Sequence, residues 1–286
     1  MNSRSINGVI LLLVIAGALV GTAWPVLATP AFQRVISLSP IITETIYLVG
    51  AQGKLIADTT YCNIPKEAQF KEKIGSVTQM NVEKIIRLQP DLVIASALSR
   101  EKQLKILEGQ SIHILRVRNP KTFEQMCEIT LMIGKTLGQE PAARIIVDKA
   151  QKQANKILER TRNLVKPKVF LQIGLKPLHS ANHEMFINEY IRYGGGINIA
   201  ENESSGIYSR EKVIRENPEV ILIATMGTSK RAGELEREKW MSFKSIDALK
   251  ENRVQVLDPE MICSPTPDTF VAGLGVVLPL LHPEIR

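Results

Sequence analysis

Short aliphatic runs, bounded by polar residues or by Gly and Pro, punctuate the first half of the chain. RVISLS (Arg34 to Ser39), LIADTT (Leu55 to Thr60), DLVIAS (Asp91 to Ser96) and HILRV (His113 to Val117) read as buried strands. Between them apolar residues recur at helical spacing, from Val82 to Leu88, Arg100 to Glu108 and Thr122 to Leu137. After the first strand, SPIITETIYLVG predicts a helix with Ser39 as its cap, Pro40 in its first turn and Gly50 beyond its end. Strands alternating with helices predict a mostly parallel sheet covered on both faces.

A long polar run follows, PAARIIVDKAQKQANKILERTRNL, with apolar residues at Ile145, Ile146, Ala150, Ile157, Leu158 and Leu164. It predicts one helix over residues 141–165, long for a connector inside a compact domain. The alternation then restarts, with strands at Lys168 to Gly174, Glu219 to Thr225 and Arg253 to Asp258 and a terminal apolar helix from Phe270. The two halves echo each other. NVEKIIRLQPDLVIA (from Asn81) and SREKVIRENPEVILIA (from Ser209) share a cap residue, Glu two positions later, Lys, a β-branched pair, Arg, Pro-acid and an aliphatic strand. The predicted fold is therefore α/β: two Rossmann-like lobes, 29–140 and 166–286, with mostly parallel sheets joined by one long helix. Ligands bind such folds outside the carboxyl ends of the strands, here in a cleft between lobes.

The first thirty residues are of another kind. Arg4 is their only charge, an apolar run extends from Val9 to Val20, and Val26-Leu27-Ala28 offers small residues for cleavage. A signal peptide over 1–28, cut after Ala28, and a periplasmic destination are expected. No Cys stands near that site to carry a lipid anchor. The formal charge is +7, but the bases are scattered among acids and no basic block is interleaved with aromatics, so nucleic acid is not an expected partner. The three cysteines, Cys62, Cys127 and Cys263, leave at least one thiol unpaired within the chain. Cys127 falls on the apolar face of a predicted helix. GxSxG, HExxH, GxxxxGK[ST] and a GxGxxG after a strand are all absent from the sequence, and no catalytic or structural metal set can be assembled from it.

RVISLSPIITETIYLVG (from Arg34), YCNIPKEA (from Tyr61), NVEKIIRLQPDLVIA, MFINEYIRYGGGINIA (from Met185), YSREKVIRENPEVILIA (from Tyr208) and VQVLDPEMICSP (from Val254), in this order around a long helix, resemble the cobalamin and iron-chelate class of periplasmic binding proteins. The resemblance covers essentially all of the chain after residue 28. It implies a monomeric receptor, not an enzyme, that captures a metal chelate such as cobalamin or a related corrinoid, or a ferric siderophore or haem. The receptor would deliver it to an ABC permease dimer with cytoplasmic ATPase subunits. It needs no cofactor of its own, since any cobalt or iron arrives within the ligand. It also implies little hinge motion.

Within that frame, Glu83 and Glu211 stand in matching helix first turns, and the resemblance assigns them to salt bridges with arginines on the two permease subunits. Taken alone, each is also explained by the helix dipole. Tyr61, in a loop after a strand, can stack on a macrocycle. His179 follows another strand in KPLHSANH, where imidazole could stack, hydrogen-bond or coordinate. Cys62 and Cys263 fall in cleft-side loops, open to three readings: free thiols, an inter-lobe disulfide, or contact with a soft metal. Met80, Met261 and Trp240, the last placed in a loop of the second lobe, complete the expected ligand-binding set. The chain departs from similar cobalamin binders in carrying Ile64, Val77 and Ser96 where those place aromatic residues. CSPTPD lacks the arginines that many members use for anionic chelates.

Overall fold

The protein is described by a computed structural model over residues 32–225, 230–263 and 265–285. The expected signal peptide lies outside the described residues. Among those described, no helix is long and apolar enough to cross a membrane.

The first sheet grows from the aliphatic runs. β1 (Val35–Ser37) leads into α1 (Pro40–Leu48), then β2 (Leu55–Asp58), β3 (Glu72–Lys73), α2 (Val82–Arg87), β4 (Leu92–Ser96), α3 (Glu101–Glu108) and β5 (His113–Val117). The strand order is β3-β2-β1-β4-β5 and every pairing is parallel, with Val35 opposite both Leu55 and Leu92. β1 and β4 are buried along their whole length, which is why they read as continuous apolar runs rather than alternating ones. Ser39 stands at the start of α1, but its side chain makes no capping bond. The neighbouring Ser37 hydroxyl instead donates to the Ser39 carbonyl.

α4 (Phe123–Thr136) and α5 (Glu140–Thr161) carry the chain across. α5 has 22 residues, a rod of about 33 Å. α4 belongs to both cores: Phe123, Met126 and Cys127 pack with the second sheet, Ile129 and Ile133 with the first. α4 lies tightly on α5, since a Cβ at Gly134 would stand 2.4 Å from the Ala143 Cβ. Two helices packed this closely across both cores resist bending.

The second sheet follows: β6 (Lys168–Gly174), β7 (His179–Ser180), α6 (Glu189–Tyr193), β8 (Ile197–Asn198), α7 (Arg210–Glu216), β9 (Val220–Ile223), α8 (Lys230–Trp240), α9 (Asp247–Lys250), β10 (Val254–Val256), α10 (Pro259–Ile262) and α11 (Pro267–Leu281). Its order is β10-β9-β6-β7, with β8 also paired to β6; all pairings are parallel except β6 with β7. The fold is thus α/β with a parallel sheet, a mixed sheet and long helices between them. Two placements differ from expectation. His179 lies on a short antiparallel strand rather than in a loop, and Trp240 ends a helix instead of sitting in a loop.

Candidate functional site

The strand after α1 sets the first wall. β2 ends in Asp58, Thr59 and Thr60, and the chain then turns through Tyr61 and Cys62. Lys73 on β3 pins this turn: its Nζ donates to Asp58 Oδ1 at 2.7 Å, to the Ala68 carbonyl at 3.0 Å and to the Cys62 carbonyl at 3.1 Å. Asp58 is fully buried, and burial raises its carboxyl pKa against the pull of Lys73. The outcome is a pinned turn that leaves Tyr61 64% exposed. That ring is available to a ligand.

Its sequence neighbour points the other way. Cys62 is fully buried, with Sγ 3.2 Å from Thr43 Oγ1 and 3.1 Å from Thr59 Oγ1. Burial pushes its thiol pKa up, so it is a weak metal ligand as well as an unreachable one. Cys263, at the end of α10, is likewise buried, its thiol pushed up to about 12 by burial. All three cysteines are free thiols, which removes the inter-lobe disulfide.

Two more expected contacts belong to the cores. Met80 is 5% exposed and packs with Ile74, Ile85 and Leu104. Trp240 is fully buried between Phe170 and Phe243. Its Nε1 donates to Gln172 Oε1 at 2.7 Å and Arg210 lies 4.4 Å over its ring. The expected loop place of Trp240 fails because it ends α8 and packs inward on Phe170 and Phe243. We expect Trp240→Phe to cost about 1–3 kcal/mol of stability in urea unfolding, because buried Gln172 Oε1 loses its donor, with ligand affinity unchanged within twofold. A larger affinity loss would return Trp240 to the cleft.

Met261 is half-buried, packed against the second core. His179 is half-buried after β6. Its Cβ lies so close to Gly174 that a methyl there would meet it at 2.9 Å. Glu83 and Glu211 are exposed in the first turns of α2 and α7. The caps match: Asn81 Oδ1 accepts from Lys84 N at 2.9 Å, and Ser209 Oγ from Lys212 N at 3.1 Å. Glu211's own backbone N–H and the Ser209 side chain hold its carboxyl below the usual range.

Sequence reasoning passed over one buried acid. Glu44, on α1 directly after β1, is only 8% exposed. Burial, and then Glu260 on α10, raise its pKa to about 8. Glu260 stands in the first turn of α10, after β10 of the second sheet. The signal in the sequence was a lone acid on an otherwise apolar helix. Two open cavities, of about 370 Å³ beside Arg162, Lys166 and Arg192 and about 260 Å³ beside Glu219, Asp247 and Arg253, lie instead toward the amino ends of the second sheet. They hold none of the expected residues. Among the described residues, no group of three or more His, Cys, Asp or Glu side chains could hold a metal ion.

Two α/β sheets joined by closely packed helices make a two-lobed architecture. The chain belongs to the periplasmic binding protein family, whose model matches residues 35–261. It is similar to a vitamin B12-binding protein of Vibrio parahaemolyticus, 29% identical over 254 residues that make up 87% of this chain and 90% of that one. It is 28% identical over 260 residues to an uncharacterized ABC transporter substrate-binding lipoprotein of Bacillus subtilis, covering 88% and 81% of the two chains. Among solved structures, the periplasmic vitamin B12 binding protein BtuF of Vibrio cholerae superposes with a TM-score of 0.74 at 22% identity, over 90% of this chain and 99% of that one. The periplasmic haem binding protein HutB of the same species does so at 0.77 and 18%, over 88% and 99%. At such identities the likeness to the two structures is one of fold.

Proposed function

We propose that this chain is the exported, monomeric receptor of an ABC importer, capturing a cobalt corrinoid between its two lobes and handing it to a permease dimer driven by cytoplasmic ATPase subunits. The observation that carries this reading is Tyr61: a pinned, exposed aromatic face at the carboxyl end of a parallel strand, in a chain similar to vitamin B12-binding proteins. The ligand brings its own metal, and the chain acts as a carrier, not as an enzyme. Glu83 and Glu211 serve as the permease contacts. A haem or ferric siderophore is the second reading, favoured by the fold shared with haem binders and by the missing aromatics at Ile64, Val77 and Ser96.

Titration by visible absorption with cyanocobalamin, haemin and a ferric siderophore separates these cargoes, and native mass spectrometry of freshly isolated protein identifies what it retains. Saturable corrinoid binding is the expected result; saturation by haemin alone would reassign the cargo. Tyr61→Ala and His179→Ala are each expected to weaken binding by about 1–3 kcal/mol, the usual loss for a desolvated aromatic contact. Unchanged calorimetric affinity in both variants would place the pocket elsewhere.

A further inference from the structure

The helices that carry Glu83 and Glu211 are each entered from a short backbone strap, and the two straps are built alike. In the first lobe Gly75, two residues beyond β3, pairs antiparallel with Met80. Ser76 N donates to the Gln79 carbonyl at 3.2 Å and Asn81 N to the Ile74 carbonyl at 2.7 Å, which closes the pair. Asn81 caps α2, two residues before Glu83. In the second lobe His179 pairs antiparallel with Ile207. Ser180 N donates to the Gly206 carbonyl and Tyr208 N to the Leu178 carbonyl, both at 2.9 Å. Ser209, the next residue, caps α7, two residues before Glu211. Among the described residues these are the two isolated bridges of the structure, and each leads into one of the two capped acids.

The other side of each strap carries an expected ligand contact. Thr60, the residue before Tyr61, donates its N–H to the Gly75 carbonyl at 2.9 Å. His179 is itself the pairing partner of Ile207. A glycine at positive φ shapes each strap, Gly75 at +99° and Gly206 at +67°. A Cβ at Gly75 would stand 2.5 Å from the Gln79 carbonyl oxygen. One at Gly206 would stand 3.2 Å from the Ser180 carbonyl oxygen and 3.5 Å from His179 Nδ1. Backbone conformation and close approach both call for glycine at these places.

We propose that the straps are positioning elements. Through Gly75 and Gly206 they link the ligand contact of each lobe to the permease contact of the same lobe, so that cargo held by Tyr61 and His179 fixes Glu83 and Glu211 in place. This rests on reading those four residues as cargo and docking contacts. The link is loss of motion. A ligand stacked on Tyr61 immobilises its turn, and with it the Thr60 to Gly75 hydrogen bond and the hairpin that starts α2. A ligand against His179 does the same for Ile207 and the start of α7. α2 has six residues and α7 seven. Helices so short are not stable by themselves, and their first turns depend on what holds them. With α4 and α5 resisting movement of whole lobes, a relay local to each lobe is the route left for occupancy to reach both acids. The loaded receptor presents two fixed acids, the empty one two frayed turns.

The test is residue-resolved amide hydrogen exchange on the purified protein, without ligand, with saturating cyanocobalamin and with saturating haemin. In wild type a bound probe should slow exchange at Asn81 and Lys84 and at Tyr208 and Lys212 by roughly five- to tenfold. Gly206→Ala should lose the slowing at α7 and keep it at α2, and Gly75→Ala should do the reverse. General destabilisation would weaken both helices together, so it does not produce this crossed pattern. Should Gly75→Ala fail to fold, Gly206→Ala decides alone, with α2 of the same molecule as its control. Equal slowing at both helices in Gly206→Ala, or a bound probe that slows neither helix in wild type, would overturn the relay and leave the cargo reading standing. The crossed pattern with haemin alone would keep the relay and reassign the cargo. The crossed pattern together with normal transport by the Glu83→Lys, Glu211→Lys double variant would keep the link and remove its use in docking. Binding of neither probe would sink both the relay and the cargo reading.

Discussion

Reversing both Glu83 and Glu211 to lysine is expected to abolish transport into proteoliposomes that contain the cognate permease, while ligand affinity measured in parallel stays at its wild-type value. Both acids are exposed in first turns, capped in the same way by Asn81 and Ser209. The helix dipole accounts for each acid alone, but not for the same device at equivalent places in both halves. A contact made and broken in every transport cycle suits a few charge pairs better than a large apolar patch. Single replacement by alanine should slow transport and weaken permease binding, and added salt should shrink the gap from wild type. The double reversal should do more harm, because like charges then meet. Normal transport by the double-lysine variant would leave only the helix-capping role.

Glu44→Gln is expected to stabilise the ligand-free protein at alkaline pH. The unfolded chain releases this proton near the ordinary 4.5, the folded chain only near 8. Between those values folding takes up a proton, so Glu44 lowers stability progressively as pH rises through the window, and the loss levels off above it. At about pH 4 the carboxyl is neutral in both states and the variant should match wild type. At about pH 9 it should be more stable by on the order of 2–5 kcal/mol, the upper end set by the full shift. Urea unfolding of the two proteins across the range isolates this group, because every other titrating residue is common to both. A stability difference that does not change with pH would mean that Glu44 reaches water freely or finds a partner within the chain.

Much of the fold was legible because burial leaves a mark on composition. β1, β4, β6 and β9 are inner strands, apolar on both faces, and each appeared as an aliphatic run. β3, β7 and β8 were not seen. Each is a two-residue strand whose pairing comes from its neighbour, with no pattern of its own. The helix caps at Asn81 and Ser209 are local hydrogen bonds and were legible for that reason, which is why Glu83 and Glu211 stand where expected.

The site was harder to read. Tyr61 and Cys62 are adjacent in one loop, and nothing in YCNIPKEA says which side chain faces out. That was decided by Lys73, eleven residues on, together with Thr43 and Thr59, which draw the thiol inward. Met80 and Trp240 were assigned to the cleft from their place in the chain, but their environment is set by Leu104, Gln172 and Phe170, all distant in sequence.

Sequence alone determined the α/β class, the repeated halves, the long connecting helix and the two capped acids, because periodicity and capping act within a few residues. Only the tertiary structure decided which loop side chains are exposed, that the three cysteines are free thiols, and that Glu44 is buried. Those outcomes depend on which distant groups come together. The pKa of Glu44 depends on lost solvent and on an acid more than two hundred residues away, and neither quantity is written in any local stretch of the chain.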